Sequence, residues 1–332
     1  MPNIVLLTLL LMRRTLFHLV WSTAVLAQSS APTLRLSHDS EGIHPMVGLT
    51  EENDKFGTKG TDKYYTQGLR IHFQNDPNFY WALTQEINTP ADTENPVPSA
   101  TDQPYSGILY LTYGYGTVLE RGGHRDCLFT VEGQIGVTGP ASGAETIQER
   151  FHKVIGSSIP SGWGSQIPTE PVFNLNAEFK RKIVWDDSGR NLRDVIAHAQ
   201  VQLGTIRTQL ALGAQVRWGV NLQDTWGQGT IRHSSAFSPH YLSDGVYPQT
   251  FSSYFFTDAQ LEFVFKNYAT DGTTFSESAH VIRSPIVGQF LVGATASIYR
   301  TSITYYLAIR TKDFETQATT HYFGGFKGVI SF

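Results

Sequence analysis

Hydrophobic and polar residues alternate along most of the chain. From Cys127 to Val137, apolar side chains occupy the odd positions, and polar side chains occupy most of the even positions. The same period of two recurs in three further stretches, residues 65–73, 209–218 and 302–310. Because successive side chains of a β-strand point to opposite faces, each stretch predicts a strand with one apolar and one polar face.

The polar faces carry Gln, Thr, Gly and isolated charges rather than the many Lys and Glu of a water-exposed sheet. Such faces suit a small, wet lumen. The parity places Thr66 inward with Arg70 and leaves Tyr65 on the apolar face. Strands that cross a hydrocarbon core need about 9 to 11 tilted residues. Twelve strands of suitable length are predicted near residues 46–54, 64–74, 79–88, 105–118, 125–137, 172–185, 192–203, 207–219, 252–268, 286–299, 301–312 and 319–332.

These strands predict an all-β fold, a closed antiparallel transmembrane β-barrel of about 12 strands with both termini on the periplasmic side. The final strand favours this fold because four of its apolar residues share one parity, Tyr322, Phe326, Ile330 and the terminal Phe332. Lipid cannot hydrogen-bond backbone groups, so such a sheet must close on itself. A soluble β-sandwich or a lipocalin-like barrel is the alternative.

The composition supports a barrel and excludes other classes. Only 16% of residues are charged, against about 25% in an average soluble domain, and a mean hydropathy of −0.20 excludes a polytopic helical membrane protein. The chain contains a single cysteine, Cys127, so neither an internal disulfide nor a cysteine zinc site is expected. Its odd position predicts that Cys127 lies on the lipid side.

The first 27 residues are almost wholly apolar apart from the pair Arg13-Arg14, and they end in Val25-Leu26-Ala27. This pattern predicts a secretory signal peptide over residues 1–27, with translation starting at Met1 or Met12, and a barrel domain over residues 28–332. A membrane-anchor helix is the alternative. Removing residues 1–27 leaves 23 basic and 29 acidic side chains, a net charge of −6, so nucleic acid is not expected as a partner.

Five longer connections interrupt the strands, and all five are predicted as extracellular loops: residues 55–63, 89–104, 138–171, 220–251 and 269–285. The third contains a candidate helix from Ser142 to Ile155, closed by Gly156. Gln148 and His152 are four residues apart, so they share a face of this short extracellular helix.

Two segments contain candidate chemistry. Asn53 and Asp54 end the first strand, and Thr66 lies in the second. A short hairpin brings them together, and their hard oxygen ligands suit Ca²⁺. An ordinary turn rich in Asn, Asp and Gly is the alternative. His152, on a helix over the barrel mouth, could act as a general base, or it is simply a solvated helix histidine. The chain lacks a Gly-x-Ser-x-Gly motif that would supply an acyl-enzyme serine.

Together these segments resemble the outer-membrane lipid A 3'-O-deacylase family, the LpxR type. The resemblance spans the mature chain in order. It is carried by Glu52-Asn53-Asp54, Tyr64-Tyr65-Thr66-Gln67-Gly68, Gly136-Val137-Thr138-Gly139-Pro140, Gln148 through His152, Gly162-Trp163-Gly164-Ser165-Gln166, Gly204-Thr205-Ile206-Arg207-Thr208 and the ending from His321 to Phe332.

The resemblance implies a calcium-dependent esterase that removes a 3'-acyloxyacyl chain from lipid A at the outer leaflet. His152 would activate water, Asp54 would hold calcium with backbone oxygens, and Asn53 and Thr66 would complete the pocket. From its spacing alone, Gln148 is predicted to orient the imidazole. Lipid A, or a related acylated glycolipid, and outer-membrane lipid are the expected partners of a monomer.

The chain differs from the family in two places. Residues 91–104 contain acids but no Lys or Arg that could meet lipid A phosphates, and Ser158 stands where an acid is expected. Other acylated glycolipids or phospholipids are therefore alternative substrates. A non-catalytic barrel, such as a small porin or a surface binding protein, and an outer-membrane phospholipase are the alternative functions.

Overall fold

The structure is a computed structural model that describes residues 45–57, 62–76, 78–121, 124–184, 192–222, 225–232 and 251–332. The predicted signal peptide and the start of the predicted barrel domain lie outside the described residues. The functional residues discussed below belong to one compact unit, Ser37–Val118 and Asp126–Phe332.

Twelve strands form a closed antiparallel barrel, as the alternation predicts. Each strand pairs with its neighbours in the chain, and β12 pairs with β1 to close the sheet. Each strand begins and ends within about three residues of its predicted bounds. The strands are β1 Met46–Asn53, β2 Tyr64–Gln74, β3 Phe79–Thr89, β4 Ser106–Arg121, β5 His124–Thr138, β6 Pro171–Val184, β7 Arg193–Gly204, β8 Arg207–Val220, β9 Phe251–Asn267, β10 Ile286–Ile298, β11 Thr301–Arg310 and β12 His321–Ser331.

Short helices occupy the connections. Helix α1, Ala144–Ile155, begins two residues after the predicted start, and a helix at Tyr268–Asp271, α2, was not predicted. The left-handed residues Gly143 and Gly156, with φ of 70° and 68°, bound α1 because glycine adopts this conformation without Cβ strain. Three 3₁₀ turns lie at Asp54–Phe56, Gly139–Ser142 and Trp163–Ser165. Among the described residues, none of the helices is long and apolar enough to cross a membrane.

The outer surface of the barrel is apolar and the lumen is polar. In β12, Tyr322, Phe326 and Ile330 are exposed, whereas Phe323 and Lys327 between them are buried. The predicted alternation, with apolar side chains facing outward and polar side chains facing the lumen, also holds in β5, β8 and β11. The exposed residues form the band that contacts lipid in an outer-membrane barrel.

The parity fails at one place, a β-bulge at the start of β2. Tyr65 pairs with Asn88 and Gln67 pairs with Ile87, so Thr66 is the extra residue. The Tyr65 hydroxyl therefore points into the lumen, where it donates to Glu52 at 2.5 Å. The prediction of Tyr65 on the apolar face and Thr66 in the lumen was wrong, because one extra residue exchanges the two faces of a strand.

Ion pairs fill much of the lumen. Buried arginines pair with buried carboxylates through both oxygens, Arg207 with Glu86, Arg217 with Asp194 and Arg310 with Glu262. A planar guanidinium matches a carboxylate in this arrangement, which satisfies charges that would otherwise be costly to bury. Arg207 and Glu86 connect β8 with β3 across the lumen, whereas Arg217 and Asp194 lie opposite each other on the neighbouring strands β8 and β7.

Strand β8 ends and β9 begins at the end of the barrel opposite to the strand ends that flank the other four long connections, so the prediction of all five as extracellular loops was wrong for 220–251. Strands alternate in direction, and β8 therefore ends at the same end of the barrel as β12. We call this the terminal end and the other the helix end. The described part of the connection, residues 221–222 and 225–232, is here called the luminal segment.

The luminal segment enters the barrel from the terminal end. The Leu222 carbonyl accepts from Arg217 at 3.2 Å near that end. Further along, the Ile231 N–H donates to Glu52 at 2.7 Å, and the Ile231 carbonyl accepts from Arg70 at 2.8 Å. The segment thus crosses much of the lumen and occupies space that an open channel would need.

Candidate active site

Helix α1 lies against the outer wall of the barrel rather than over its mouth. In β3, Glu86 and Asn88 point into the lumen, where they contact Arg207 and Arg232 respectively. The alternate residues Gln85, Ile87 and Thr89 must then point outward. They are nevertheless buried, since α1 and the loops beside it cover this part of the wall.

A glycine allows the close approach of α1 to the wall. Gly107 of β4 faces the helix, and a Cβ at this position would lie less than 3.0 Å from the Ala144 Cβ and the Ser142 Oγ. Beside it, the Gln85 amide donates to the Ser142 carbonyl at 2.7 Å. These contacts hold the start of α1 to β4 and the 3₁₀ turn before it to β3.

His152 faces the wall and is almost fully buried, with 2% of its surface exposed. Its Nδ1 lies 2.5 Å from the Ser158 carbonyl oxygen. A carbonyl can only accept, so Nδ1 carries the proton and donates it. In the neutral ring Nε2 then has a free lone pair, and it faces Asp62 Oδ1 at 3.4 Å. The imidazole is therefore fixed in the tautomer that a general base at Nε2 requires.

Gln148 lies beside His152 on α1 but makes a different contact. Its Oε1 accepts from the Trp163 indole N–H at 2.8 Å, and its Nε2 has no hydrogen-bond partner among the described residues. No hydrogen bond between Gln148 and His152 is present among the described residues; the Ser158 carbonyl accepts from the ring instead, so the orienting role of Gln148 stays a prediction. The imidazole is thus held by a backbone oxygen of Ser158, the position where the resemblance to the family leads us to expect an acid.

Asp62 is held between a cation and a chain of hydroxyls. Its Oδ2 lies 2.8 Å from Lys55 Nζ. The backbone carbonyl of Asp62 accepts from the Thr89 hydroxyl at 3.0 Å. The Thr66 and Thr89 hydroxyl oxygens are 2.7 Å apart, and because Thr89 gives its proton to Asp62, Thr66 must donate to Thr89. The hydroxyl of Thr66 is therefore connected through Thr89 to the backbone of Asp62, the residue whose carboxylate faces His152.

Asp54 has one oxygen with a partner and one without. Its Oδ2 accepts from the Lys63 N–H at 2.8 Å, whereas Oδ1 is buried with no hydrogen-bond partner among the described residues. Burial raises the pKa of Asp54 to about 8, and the Lys63 N–H only partly opposes it. Asn53 precedes it on the outer face, and its side-chain oxygen accepts from the Lys55 N–H at 2.9 Å.

The unpaired oxygen of Asp54 fits a hard cation. A buried carboxylate oxygen with no donor is costly unless water or a metal ion reaches it. The described residues contain no group of three or more His, Cys, Asp or Glu side chains that could hold a metal ion. The other ligands would therefore be backbone, amide or water oxygens, which Ca²⁺ accepts.

The predicted residues His152 and Thr66 are linked through Asp62, whose carboxylate faces His152 and whose backbone carbonyl accepts from Thr89, the partner of Thr66. Asp54 accepts from the N–H of Lys63, the neighbour of Asp62, while Gln148 lies beside His152 on α1 and Asn53 accepts from the N–H of Lys55. Sequence reasoning missed three contributors: Asp62, Lys55 and the Ser158 carbonyl. Asp62 had a usable signal, since it is an acid four residues before Thr66 in the same segment. The Ser158 carbonyl had none, because every residue carries that group.

Comparison with known proteins identifies relatives of the chain. The family model described as "Outer membrane protein LpxR" matches residues 15–332. Among solved structures, LpxR from Salmonella typhimurium is 18% identical over 86% of this chain and 100% of its own, with a TM-score of 0.73. The β domain of the Bordetella autotransporter BrkA is 9% identical over 87% of this chain and 99% of its own, with a TM-score of 0.42. No curated protein sequence matches the chain.

Proposed function

Since the chain belongs to the LpxR family of outer membrane proteins, we propose that it is a lipid A deacylase that removes an ester-linked acyl chain, the 3'-acyloxyacyl group. His152 is its general base, and Ca²⁺ is its cofactor. The helix end faces outward in this proposal, because outer-membrane barrels keep both termini in the periplasm. The site then lies at the level of the outer leaflet.

The observation that carries the proposal is the position of the site on the outer wall. In β3, Trp81 and Leu83 are exposed on the lipid-facing side, with 46% and 48% of their surfaces accessible. Gln85, two residues further along the same face, already contacts the turn that leads into α1. A lipid in the membrane reaches the site by moving along the wall, whereas a solute in the lumen is separated from it by the sheet.

His152 transfers the proton in the proposed reaction. The oxygen of a water molecule bonds to the ester carbonyl carbon while one water proton passes to Nε2. When the tetrahedral intermediate collapses, the ester C–O bond breaks, and the Nε2 proton passes to the departing alkoxide oxygen. The products are a free fatty acid and a hydroxyl group on the remaining lipid. The Ser158 carbonyl keeps the ring oriented throughout, and Asp62 stabilises the transient imidazolium.

Asp54 would hold the calcium ion, with Asn53 completing the pocket. The bound ion would polarise the ester carbonyl and stabilise the negative charge that develops on its oxygen. Thr66 acts indirectly in this proposal, since its hydroxyl supports Asp62 through Thr89. Lys55 fixes the other side of the Asp62 carboxylate.

The test is fatty-acid release from lipid by the purified protein in vesicles with calcium, followed by mass spectrometry. One set of vesicles contains lipid A and a second contains only phosphatidylethanolamine, which distinguishes a lipid A deacylase from a phospholipase. His152→Ala should reduce turnover by at least about 100-fold, because a positioned base contributes 10² to 10⁴.

The matched control is His280→Ala, since His280 is exposed and its Nδ1 lies 3.0 Å from the carbonyl oxygen of the nearby Ser278. It should keep parental activity. Equal turnover in His152→Ala and His280→Ala would exclude His152 as the base. Release from neither set of vesicles by the folded parental protein would favour the non-catalytic barrel.

A further inference from the structure

Helix α1 exposes a stripe of large apolar side chains. Ile147 and Phe151 are each 39% exposed, Val154 is 84% exposed and Ile155 is 48% exposed. These positions are related by i, i+4, i+7 and i+8, so they share one face of the helix. We call them the apolar stripe. Surface helices of soluble proteins normally show polar residues on the exposed face.

The apolar stripe adjoins the buried face that contains Gln148 and His152. At about 100° per residue, Ile155 lies within roughly 20° of Gln148 and 60° of His152 around the helix axis. Arg150 follows on the other border of the stripe, about 40° from Val154. Around the helix axis, Arg150 is therefore followed by the apolar stripe, and the stripe is followed by the face that contains Gln148 and His152.

The apolar stripe is also adjacent to the lipid-facing surface of the barrel. The wall beneath α1 belongs to β3 and β4, and Leu83 and Leu111 of these strands are exposed on the same outer face. Gln85 is the next outward residue after Leu83, and Gly107 follows Leu111 and Leu109 on the outer face of β4. Gln85 contacts Ser142 in the turn before α1, and Gly107 faces Ala144 in its first turn. The outer apolar surface thus continues up to the helix.

We infer that α1 is an interfacial helix whose apolar stripe packs against the acyl chains of membrane lipid and leads one chain toward His152. Lipid is the occupant that fits, because the stripe continues the lipid-facing wall. In addition, Arg150 and the exposed Lys153 can contact anionic headgroups. The insertion of the helix stands on this geometry alone. The guidance of a chain to His152 rests on the proposed function.

A fluorescent label tests the insertion without any requirement for activity. In a Cys127→Ser background, Val154→Cys carries bimane, and the protein is reconstituted in vesicles. Brominated phospholipid should quench this label strongly and aqueous iodide only weakly. The matched control is Lys153→Cys, one residue away on the charged face, for which the order of quenchers should reverse.

Two outcomes overturn the inference. Iodide quenching at position 154 as strong as at position 153 would place the stripe in water. Brominated-lipid quenching that is equal at both positions would mean that the helix has no defined orientation in the interface. Strong lipid quenching at 154 in a protein that releases no fatty acid would refute the proposed function and leave the interfacial helix in place.

A kinetic measurement tests the guidance of the acyl chain. Val154→Asp should raise KM for lipid in vesicles about tenfold, because an apolar side chain that packs against lipid in this proposal is replaced by a charge at the membrane surface. The effect on kcat should be smaller, since position 154 lies away from the reacting atoms. A loss confined to kcat, with KM unchanged, would contradict a role in lipid capture.

Discussion

Replacing Gly107 with alanine should move α1 away from the barrel wall. The new Cβ would lie less than 3.0 Å from the Ala144 Cβ and the Ser142 Oγ. Neither atom is the end of a flexible side chain. The Ala144 Cβ is fixed to the helix backbone, and the Ser142 hydroxyl donates to the Gly139 carbonyl at 2.6 Å. The start of the helix therefore has to shift.

The size of the shift sets the expected loss. Carbon atoms pack at about 3.5 to 4.0 Å, so α1 must retreat by roughly 1 Å. His152 is eight residues after Ala144, about 12 Å along the same helix, and His152 therefore moves with the helix. The geometry between His152 Nε2 and Asp62 then changes, and a misplacement of about 1 Å can reduce turnover by about 100-fold.

Two assays check this prediction. Fatty-acid release from vesicle lipid measures turnover, and hydrogen–deuterium exchange over 144–155 measures how tightly the helix is held. Gly107→Ala should lower turnover and speed up exchange over 144–155. The barrel itself should remain intact, as shown by its altered gel migration before boiling.

The control is Gly133→Ala in β5, because a Cβ at Gly133 has no neighbouring atom within 4 Å. This variant should behave as the parent in both assays. If Gly107→Ala retains turnover within a factor of two and its helix exchanges as in the parent, then the close contact at Gly107 does not position the site, and the reasoning fails.

Three further predictions concern other parts of the chain. Asp54→Ala should abolish calcium-dependent hydrolysis and lower calcium affinity without unfolding the barrel, and full activity in excess chelator would exclude the metal proposal. Cys127, on the lipid side, should resist a charged maleimide in the native protein and react after denaturation; rapid native labelling would reverse that face. Glu170 accepts from the hydroxyl of Ser276 and from the N–H groups of Thr274 and Phe275, and these bonds outweigh burial and lower its pKa. A lowered carboxyl pKa stabilises the fold above the unfolded value of about 4.3 and ceases to do so as pH falls through the folded value. The protection of residues 274–276 against exchange, relative to the intrinsic rate at each pH, should therefore fall at acid pH, whereas Glu170→Gln should show low protection already at neutral pH; equal protection in both proteins would refute the contact.

The sequence by itself determined the barrel. Alternation with a period of two directly encodes which side chains meet lipid and which meet the lumen, because neighbouring side chains of a strand point to opposite faces. The pairing of Gln148 and His152 on one face of a helix was predictable for the same kind of reason, since it depends only on spacing. Both inferences are local, and they hold wherever strand pairing adds no extra residue, as it does at Thr66.

The location of the site was decided by tertiary structure. The bulge at Thr66 depends on how β2 pairs with β3, and it connects Thr66 to Asp62 beside His152 on the outer wall. The hydrogen-bond partner of His152 is a backbone carbonyl, and no residue type identifies such a partner in advance.

The course of the luminal segment also required the three-dimensional structure. Ile231 is bonded to Glu52, which is 179 residues away in the chain. A polar connection of this kind suits water outside the barrel as well as a polar lumen, so its composition does not distinguish the two. Only the complementary donors and acceptors of distant strands decide that it enters the barrel, because a buried backbone must find partners there.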